Sequence, residues 1–264
     1  MYDLGIKNGT VYLNGGFFNC NIYIKNGVIT NITNEDLGCK VEENASGKLV
    51  LPGFIDPHVH FSLGVGSNIS SDDFYTGSIK GVLGGVTTYI DFLDPIKSVE
   101  EIEEAYKNRM KLAEKSVSDY AFHTTIANPK SSPEEIIKAG IEKGITSIKL
   151  FTTYADTDRR TYDKYIYDLL KLSKKYNVRV VIHAENDELV SDDKKVKVKD
   201  HEVSRPVVSE VTEVLKLAEM ARETGGLLYI VHVSCGTTVK RLKECFSKEL
   251  KSKQIILESC PHYY

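Results

Sequence analysis

With 264 residues, 41% of them hydrophobic and 27% charged, the chain has the composition of a folded globular protein and the length for one barrel-sized core or two smaller ones. Its 34 Lys and Arg nearly balance its 37 Asp and Glu, and only Lys194, Lys195, Lys197 and Lys199 cluster, so no nucleic-acid footprint is present and that run reads as a solvated loop. Apolar stretches such as Leu227 to Val233 are strand-sized and no charged head precedes an apolar run at the N-terminus, so no membrane span or signal peptide is expected and the protein reads as cytoplasmic.

Residues 1–51 alternate apolar and polar side chains between turn signals, which predicts a small β unit. Asn8-Gly9 and Asn26-Gly27 each follow a short strand and precede another, so both are expected to be hairpin turns. From residue 52 to 264 apolar strands alternate with amphipathic helices, as in βα units around a parallel barrel. Strands are expected at Gly53 to His58, Val86 to Phe92, Tyr120 to Ile126, Ser147 to Phe151, Arg179 to His183 and Leu228 to Val233, with a seventh at Gln254 to Glu258. Helices are expected at Phe74 to Leu83, Val99 to Ser116, Pro133 to Lys143, Thr161 to Tyr176 and Ser209 to Glu223. Ser132-Pro133-Glu134-Glu135 begins one of them with a cap, Pro at the first helical position and first-turn acids. Gly81, Gly84 and Gly85 follow a helix and precede a strand, the reverse of phosphate-binding order, and read as a helix end and tight turn. The fold class is α/β: a TIM-type (β/α)8 barrel, incomplete with six to seven strands, plus the N-terminal part of a small β-sandwich. A doubly wound sheet is the alternative.

His58-Val59-His60 ends the first barrel strand, where residues two apart share a face and both imidazoles can meet one ion. That strand end is also where active sites of this fold lie. His183 and His232 end two further apolar strands; singly each has an ordinary reading as a hydrogen-bonded core residue, but four histidines at one end of three strands point to a ligand. Lys149 on the strand Ser147 to Phe151 would be a buried charge, which demands a partner or a chemical change. It can snorkel, pair with Asp91 or Asp94, or lose its proton and add carbon dioxide to become a carbamate. Five cysteines, an odd number without a CxxC pair, argue against a disulfide framework and a cysteine-ligated structural zinc, and Cys235 reads as small barrel filler. His123 and His201 read as structural.

The segments PGFIDPHVHF, DDFYTGSIKGVLGGVTTYIDF, SIKLFTTY, VIHAEN, HEVSRP and YIVHVS are similar, in order and spacing, to those of the amidohydrolase superfamily, and within it of dihydropyrimidinases and hydantoinases. The resemblance covers essentially the whole chain. It implies that His58 and His60 bind one divalent metal, His183 and His232 another, and N-carboxylated Lys149 bridges the two, with zinc the expected ion. A hydroxide held between the metals would attack a cyclic amide, opening a dihydropyrimidine or hydantoin to an N-carbamoyl amino acid, and Tyr154 resembles the tyrosine that hydrogen-bonds the developing oxyanion. On a bland reading Tyr154 is a loop tyrosine packed at the barrel rim. A small-molecule cyclic amide is the implied partner, and a homotetramer the implied assembly.

The same resemblance implies a further aspartate at the end of the eighth strand, as metal ligand and proton shuttle, and the sequence stops before it; Asp56 and Asp91 do not match that position. The chain is therefore expected to be C-terminally truncated and inactive by itself. Ser62 stands where dihydroorotases carry an arginine, which counts against that substrate. Allantoinase remains an alternative, favoured by Cys260-Pro261-His262-Tyr263, where His262 has a possible substrate-side role. A non-catalytic dihydropyrimidinase-like scaffold is the other alternative, opposed by the retention of all five ligand positions. The loops Ser62 to Ser71 and Tyr154 to Arg160 are expected to shape substrate choice, which the sequence does not specify.

Overall fold

The computed structural model describes every residue except 66, 192, 194 and 264, and at Val65 and Val198 the backbone alone. The chain divides into two compact units, Met1–Phe54 and Ile55–Tyr264. Strands run in chain order as β1 (Tyr2–Leu13), β2 (Gly16–Lys25), β3 (Val28–Thr33), β4 (Cys39–Asn44), β5 (Leu49–Val50), β6 (Phe54–Asp56), β7 (Gly64–Val65), β8 (Asn68–Ile69), β9 (Val86–Phe92), β10 (Asp119–Thr125), β11 (Ser147–Phe151), β12 (Arg179–His183), β13 (Leu228–Ile230) and β14 (Ile255–Leu257).

The first unit is one sheet in the order β3-β2-β1-β4, with β5 also on β1. Strand β1 pairs antiparallel with β2 and parallel with β4 and β5. Tyr23, wholly buried, anchors it: its hydroxyl donates to Glu35 O at 3.1 Å and accepts from Leu37 N at 2.8 Å. Asn26-Gly27 forms the expected β2–β3 hairpin, both residues with positive φ (52° and 74°), as the turn requires. The other expected hairpin is corrected. Asn8-Gly9 lies inside β1, where the pairing register shifts between Ile6 and Gly9, so the pair marks a bulge. The turn between β1 and β2 is Asn14-Gly15, with φ of 48° and 89°. An Asn-Gly pair supplies left-handed backbone, and a bulge uses that as readily as a turn.

The second unit holds a seven-stranded sheet in the order β14-β13-β12-β11-β10-β9-β6, with parallel registers from β9 to β14. Consecutive strands are neighbours throughout, with no reversal of order, so the doubly wound alternative does not hold; the sheet is an incomplete TIM-type barrel. Three successive residues of β12 (Val180, Val181, Ile182) are buried, as in a parallel sheet covered on both faces. The covering helices are α1 (Phe74–Leu83), α2 (Ile102–Ala113), α3 (Pro133–Glu142), α4 (Asp163–Tyr176), α5 (His201–Ser204), α6 (Val207–Thr224), α7 (Gly236–Cys245) and α8 (Ser247–Lys251). Ile136, Ile166, Leu169, Leu170, Leu217 and Ala218 on α3, α4 and α6 are wholly buried in one core with Ile148, Leu150 and Val180 of the strands. The expected cap of α3 is a capping box: Ser132 Oγ accepts from Glu135 N, and Glu135 Oε2 accepts from Ser132 N at 2.8 Å.

Several expected elements are shorter or divided. Val99 to Ser116 splits into a 3-10 turn, Val99–Glu101, and α2. The strands expected to reach His58 and Val233 stop at Asp56 and Ile230. Helices α7 and α8 are additional, their Lys-rich sequence masking a narrow apolar stripe. Within the lysine run Lys194 lies outside the described residues, while Lys195, Lys197 and Lys199 are exposed. The loop Ser62 to Ser71 likewise contains one residue outside them.

Candidate metal centre

The segment after β6 is pinned by backbone contacts. Asp56 Oδ1 accepts from His58 N at 3.1 Å, and Asp91 Oδ2 accepts from Phe61 N at 3.3 Å. Arg109, buried beneath, donates from Nη1 to Phe61 O at 2.8 Å. Asp91 is fully buried, and burial is what lifts its carboxyl to about 6. Held this way, His58 and His60 bring their Nε2 atoms to 3.2 Å, with His60 stacked on Phe92 at 4.6 Å between ring centres. They do so beyond the strand, so loop anchoring and not strand alternation accounts for their convergence.

His183 closes β12, and its Nδ1 lies 3.1 Å from His232 Nε2. His232 follows β13 with φ +39°, a left-handed backbone that costs on the order of 1–3 kcal/mol and that surrounding structure must enforce. Ser62 and Tyr154 share that conformation, with φ of 50° and 69°. The rings of His58 and His232 are 5.5 Å apart, so the two pairs are neighbours. Burial, reinforced by the cationic groups around them, pushes His60 down to about 3 and His232 lower than an ordinary histidine as well; burial also lowers His183. Neutral imidazoles with free lone pairs are what a metal requires.

Lys149 sits in β11 at 2% exposure, which rules out snorkelling. It has no salt-bridge partner among the described residues. Asp94 instead pairs with Arg109 Nη2 at 3.6 Å, and Asp91 is taken by backbone N–H groups, so neither expected carboxylate partner serves. Lys149 Nζ packs 5.6 Å from the centre of the Phe92 ring and 5.1 Å from that of Phe151. Phe92 also touches His58 and His60, and Phe151 lies 6.0 Å from His183, so the amine stands against both histidine pairs through shared rings. Burial drives it down to about 7.

Tyr154, beside β11, places its hydroxyl 3.4 Å from His183 Nε2, and burial raises it above an ordinary phenol. A cavity of about 690 Å³ opens here, walled by Tyr154, His183, Glu185, Arg205, His232 and Cys235 among others. His123 is structural as expected, with Nδ1 2.6 Å from Ser147 Oγ and Nε2 2.9 Å from Pro57 O. His201 begins α5 and also lines the cavity, while His262 meets Tyr263 edge to face.

Among the described residues, no three His, Cys, Asp or Glu side chains stand together as a ready metal-holding group. The donors come in pairs. Two ligands of a tetrahedral zinc, each about 2.0–2.1 Å from the ion, lie roughly 3.3 Å apart. The histidine nitrogens are separated by 3.2 and 3.1 Å, and a buried amine without a salt-bridge partner among the described residues adjoins both pairs. This donor set fits two divalent ions.

A family model described as the amidohydrolase family matches residues 49–256. The chain belongs to the amidohydrolase family. Among curated amidohydrolase relatives, a D-hydantoinase of Geobacillus stearothermophilus is 33% identical over 269 residues, covering 98% of this chain and 56% of its own length. A dihydropyrimidinase of Dictyostelium discoideum is 34% identical over 242 residues, covering 86% and 47%. A D-hydantoinase crystal structure superposes with a TM-score of 0.87 at 30% identity, covering all of this chain and 58% of that one. The chain thus spans about half the length of the relatives it matches.

Three residues of this amidohydrolase site went unassigned in the sequence. Glu258, just past β14, contacts His58 Nδ1 at 2.8 Å; Glu185 contacts His183 Nε2 at 2.6 Å and is also held by Arg205. Burial works to raise both carboxyls, but hydrogen bonds from the histidines, from Arg205 to Glu185 and from His232 N to Glu258, outweigh it and hold both below the usual range. The signals were present: Glu258 ends the apolar run Ile255–Leu257, and Glu185 follows His183 by two residues.

Proposed function

We propose that this chain carries the ligand set of a two-metal cyclic amidohydrolase that opens a dihydropyrimidine or hydantoin ring to an N-carbamoyl amino acid. The observation that carries the reading is the two histidine nitrogen pairs, 3.2 and 3.1 Å apart, beside the unpaired buried amine of Lys149. The family uses a binuclear metal centre, and the ring-opening specificity comes from the names of the hydantoinase and dihydropyrimidinase relatives. His58 and His60 would hold one ion, His183 and His232 the other, and Lys149, N-carboxylated, would bridge them, with zinc the ion its imidazole donors favour. When bound, such a pair of cations supplies an activated water and polarises the substrate carbonyl.

The chain's own residues supply the rest. Lys149 reaches its bridging form when its neutral amine attacks carbon dioxide, forming a C–N bond and releasing a proton. Tyr154, kept protonated by burial, donates its O–H to the oxygen that gains negative charge as water adds to the ring amide. The cavity beside His183, His232 and Tyr154 receives the ring.

Asp56 and Asp91 are both engaged by backbone N–H groups, and Glu185 and Glu258 by histidines, so none of these four carboxylates is assigned the proton shuttle. With no shuttle assigned, the 264-residue segment is expected to bind metal without turnover by itself. A homotetrameric, cytoplasmic enzyme completes the reading, by resemblance alone. Metal analysis tests it: the chain purified with zinc and bicarbonate should hold up to two zinc ions, and their loss in His60→Ala and His232→Ala should follow the pairing. A properly folded chain that takes up no zinc would sink the reading and favour the scaffold alternative.

A further inference from the structure

Two carboxylates outside the ligand set grip it from opposite sides. Glu258 Oε1 lies 2.8 Å from His58 Nδ1 and accepts from His232 N at 3.1 Å. Glu185 Oε2 lies 2.6 Å from His183 Nε2, and the Arg205 guanidinium donates to the same oxygen. A neutral imidazole carries one N–H, and an ionised carboxylate can only accept. In the neutral form of His58 the proton therefore belongs on Nδ1, leaving the Nε2 lone pair facing His60 Nε2. The proton of His183 belongs on Nε2, leaving the Nδ1 lone pair facing His232 Nε2. The two rings are used in opposite senses because their carboxylates touch opposite nitrogens.

We propose that Glu258 and Glu185 are positioning residues that fix opposite tautomers of His58 and His183, one for each histidine pair, so that each pair has one ring lone pair held toward its partner histidine, where a cation would bind. This rests on the two-cation reading given above. Arg205 serves the same end, anchoring the Glu185 carboxylate and lying 5.2 Å over the Tyr154 ring. A further consequence concerns Tyr154: with a hydrogen already on His183 Nε2, the tyrosine O–H has no acceptor there and stays available to substrate. Carboxylate partners of ligating histidines typically affect metal affinity 10- to 100-fold, which sets the size of the effect.

The test reads tautomers in the metal-free, ¹⁵N-labelled 264-residue chain by long-range ¹H–¹⁵N correlation, with His58 and His183 assigned from His58→Asn and His183→Asn spectra. The expected wild-type result is a pyridine-type Nε2 in His58 and a pyridine-type Nδ1 in His183. Glu258→Ala should scramble the first and leave the second; Glu185→Ala should do the converse, with Glu→Gln variants, which keep an acceptor, retaining the wild-type tautomer. In chelator-competition titrations with zinc, each Ala variant should weaken one of two binding equivalents about 10- to 100-fold. A wild-type spectrum showing the same tautomer in both histidines overturns the inference without any variant, even if the chain binds two zinc ions. Opposite tautomers in a wild-type chain that binds no zinc would instead remove the two-cation reading while the carboxylates' hold on the rings stands.

Discussion

Replacing Lys149 by Met should stabilise the metal-free chain, although it destroys the centre of the proposed site. The amine is 2% exposed, has no salt-bridge partner among the described residues, and is driven by burial, against the opposing charge of Glu258, from 10.5 to about 7. The sign follows from linkage. Below about pH 7 the lysine is protonated in both folded and unfolded chains, and the folded chain bears the full cost of a buried ammonium. Above 10.5 it is neutral in both, and that cost is gone. At about 1.4 kcal/mol for each tenfold loss of proton affinity, the cost at low pH is at most ~5 kcal/mol. Met keeps most of the volume of the side chain and opens no cavity. Urea unfolding in EDTA and bicarbonate-free buffer should place Lys149→Met above wild type by roughly 3–5 kcal/mol at pH 6, with the gap shrinking steadily toward pH 10. With zinc and bicarbonate the order should reverse, because only the wild type can form the bridge. A variant no more stable than wild type at pH 6, or a gap that ignores pH, refutes the reasoning.

Three further outcomes are expected. In any longer form of this chain that turns over a cyclic ureide, Tyr154→Phe should lower kcat by about 10²–10³ while leaving the zinc content unchanged, read by steady-state kinetics beside metal analysis. Tyr89→Phe removes a buried hydroxyl with no hydrogen-bond partner, so the melting temperature should rise by a few degrees, roughly 1 kcal/mol, and a fall would show that the hydroxyl has a partner in solution. Ser132→Ala breaks the capping box of α3 and should cost about 1 kcal/mol in denaturant unfolding, with no effect on zinc binding.

Most of the second unit was legible because its signals are local. Strands Val86–Phe92, Ser147–Phe151 and Arg179–His183 and helix Phe74–Leu83 stand where apolar runs and periodicity put them. What misled were signals with two uses. Asn8-Gly9 provides left-handed backbone that β1 spends on a bulge, and nothing in the neighbouring residues separates that from a hairpin. The apolar runs toward His58 and His232 read on as strand, but on these two strands the ladder ends at Asp56 and Ile230, before the histidines, whereas Lys149 and His183 are still within it.

The site divides along the same line. His58, His60, Lys149, His183 and His232 were visible because they are chemically conspicuous at the ends of apolar strands or within one. Glu185 and Glu258 were not, because their role depends on which nitrogen of which ring they meet, a distance across the barrel of 200 residues of sequence in the case of His58 and Glu258. A carboxylate two residues after a histidine, or at the end of an apolar strand, has many ordinary readings on a surface. Only burial changes that: a half-buried carboxylate must find a donor, and in this mouth the imidazoles are among the nearest, beside Arg205 for Glu185. The burial that disfavours the protonated forms of His60, His183 and His232 also leaves the Glu185 and Glu258 carboxylates in need of donors, so ligand readiness and ring orientation share a physical cause.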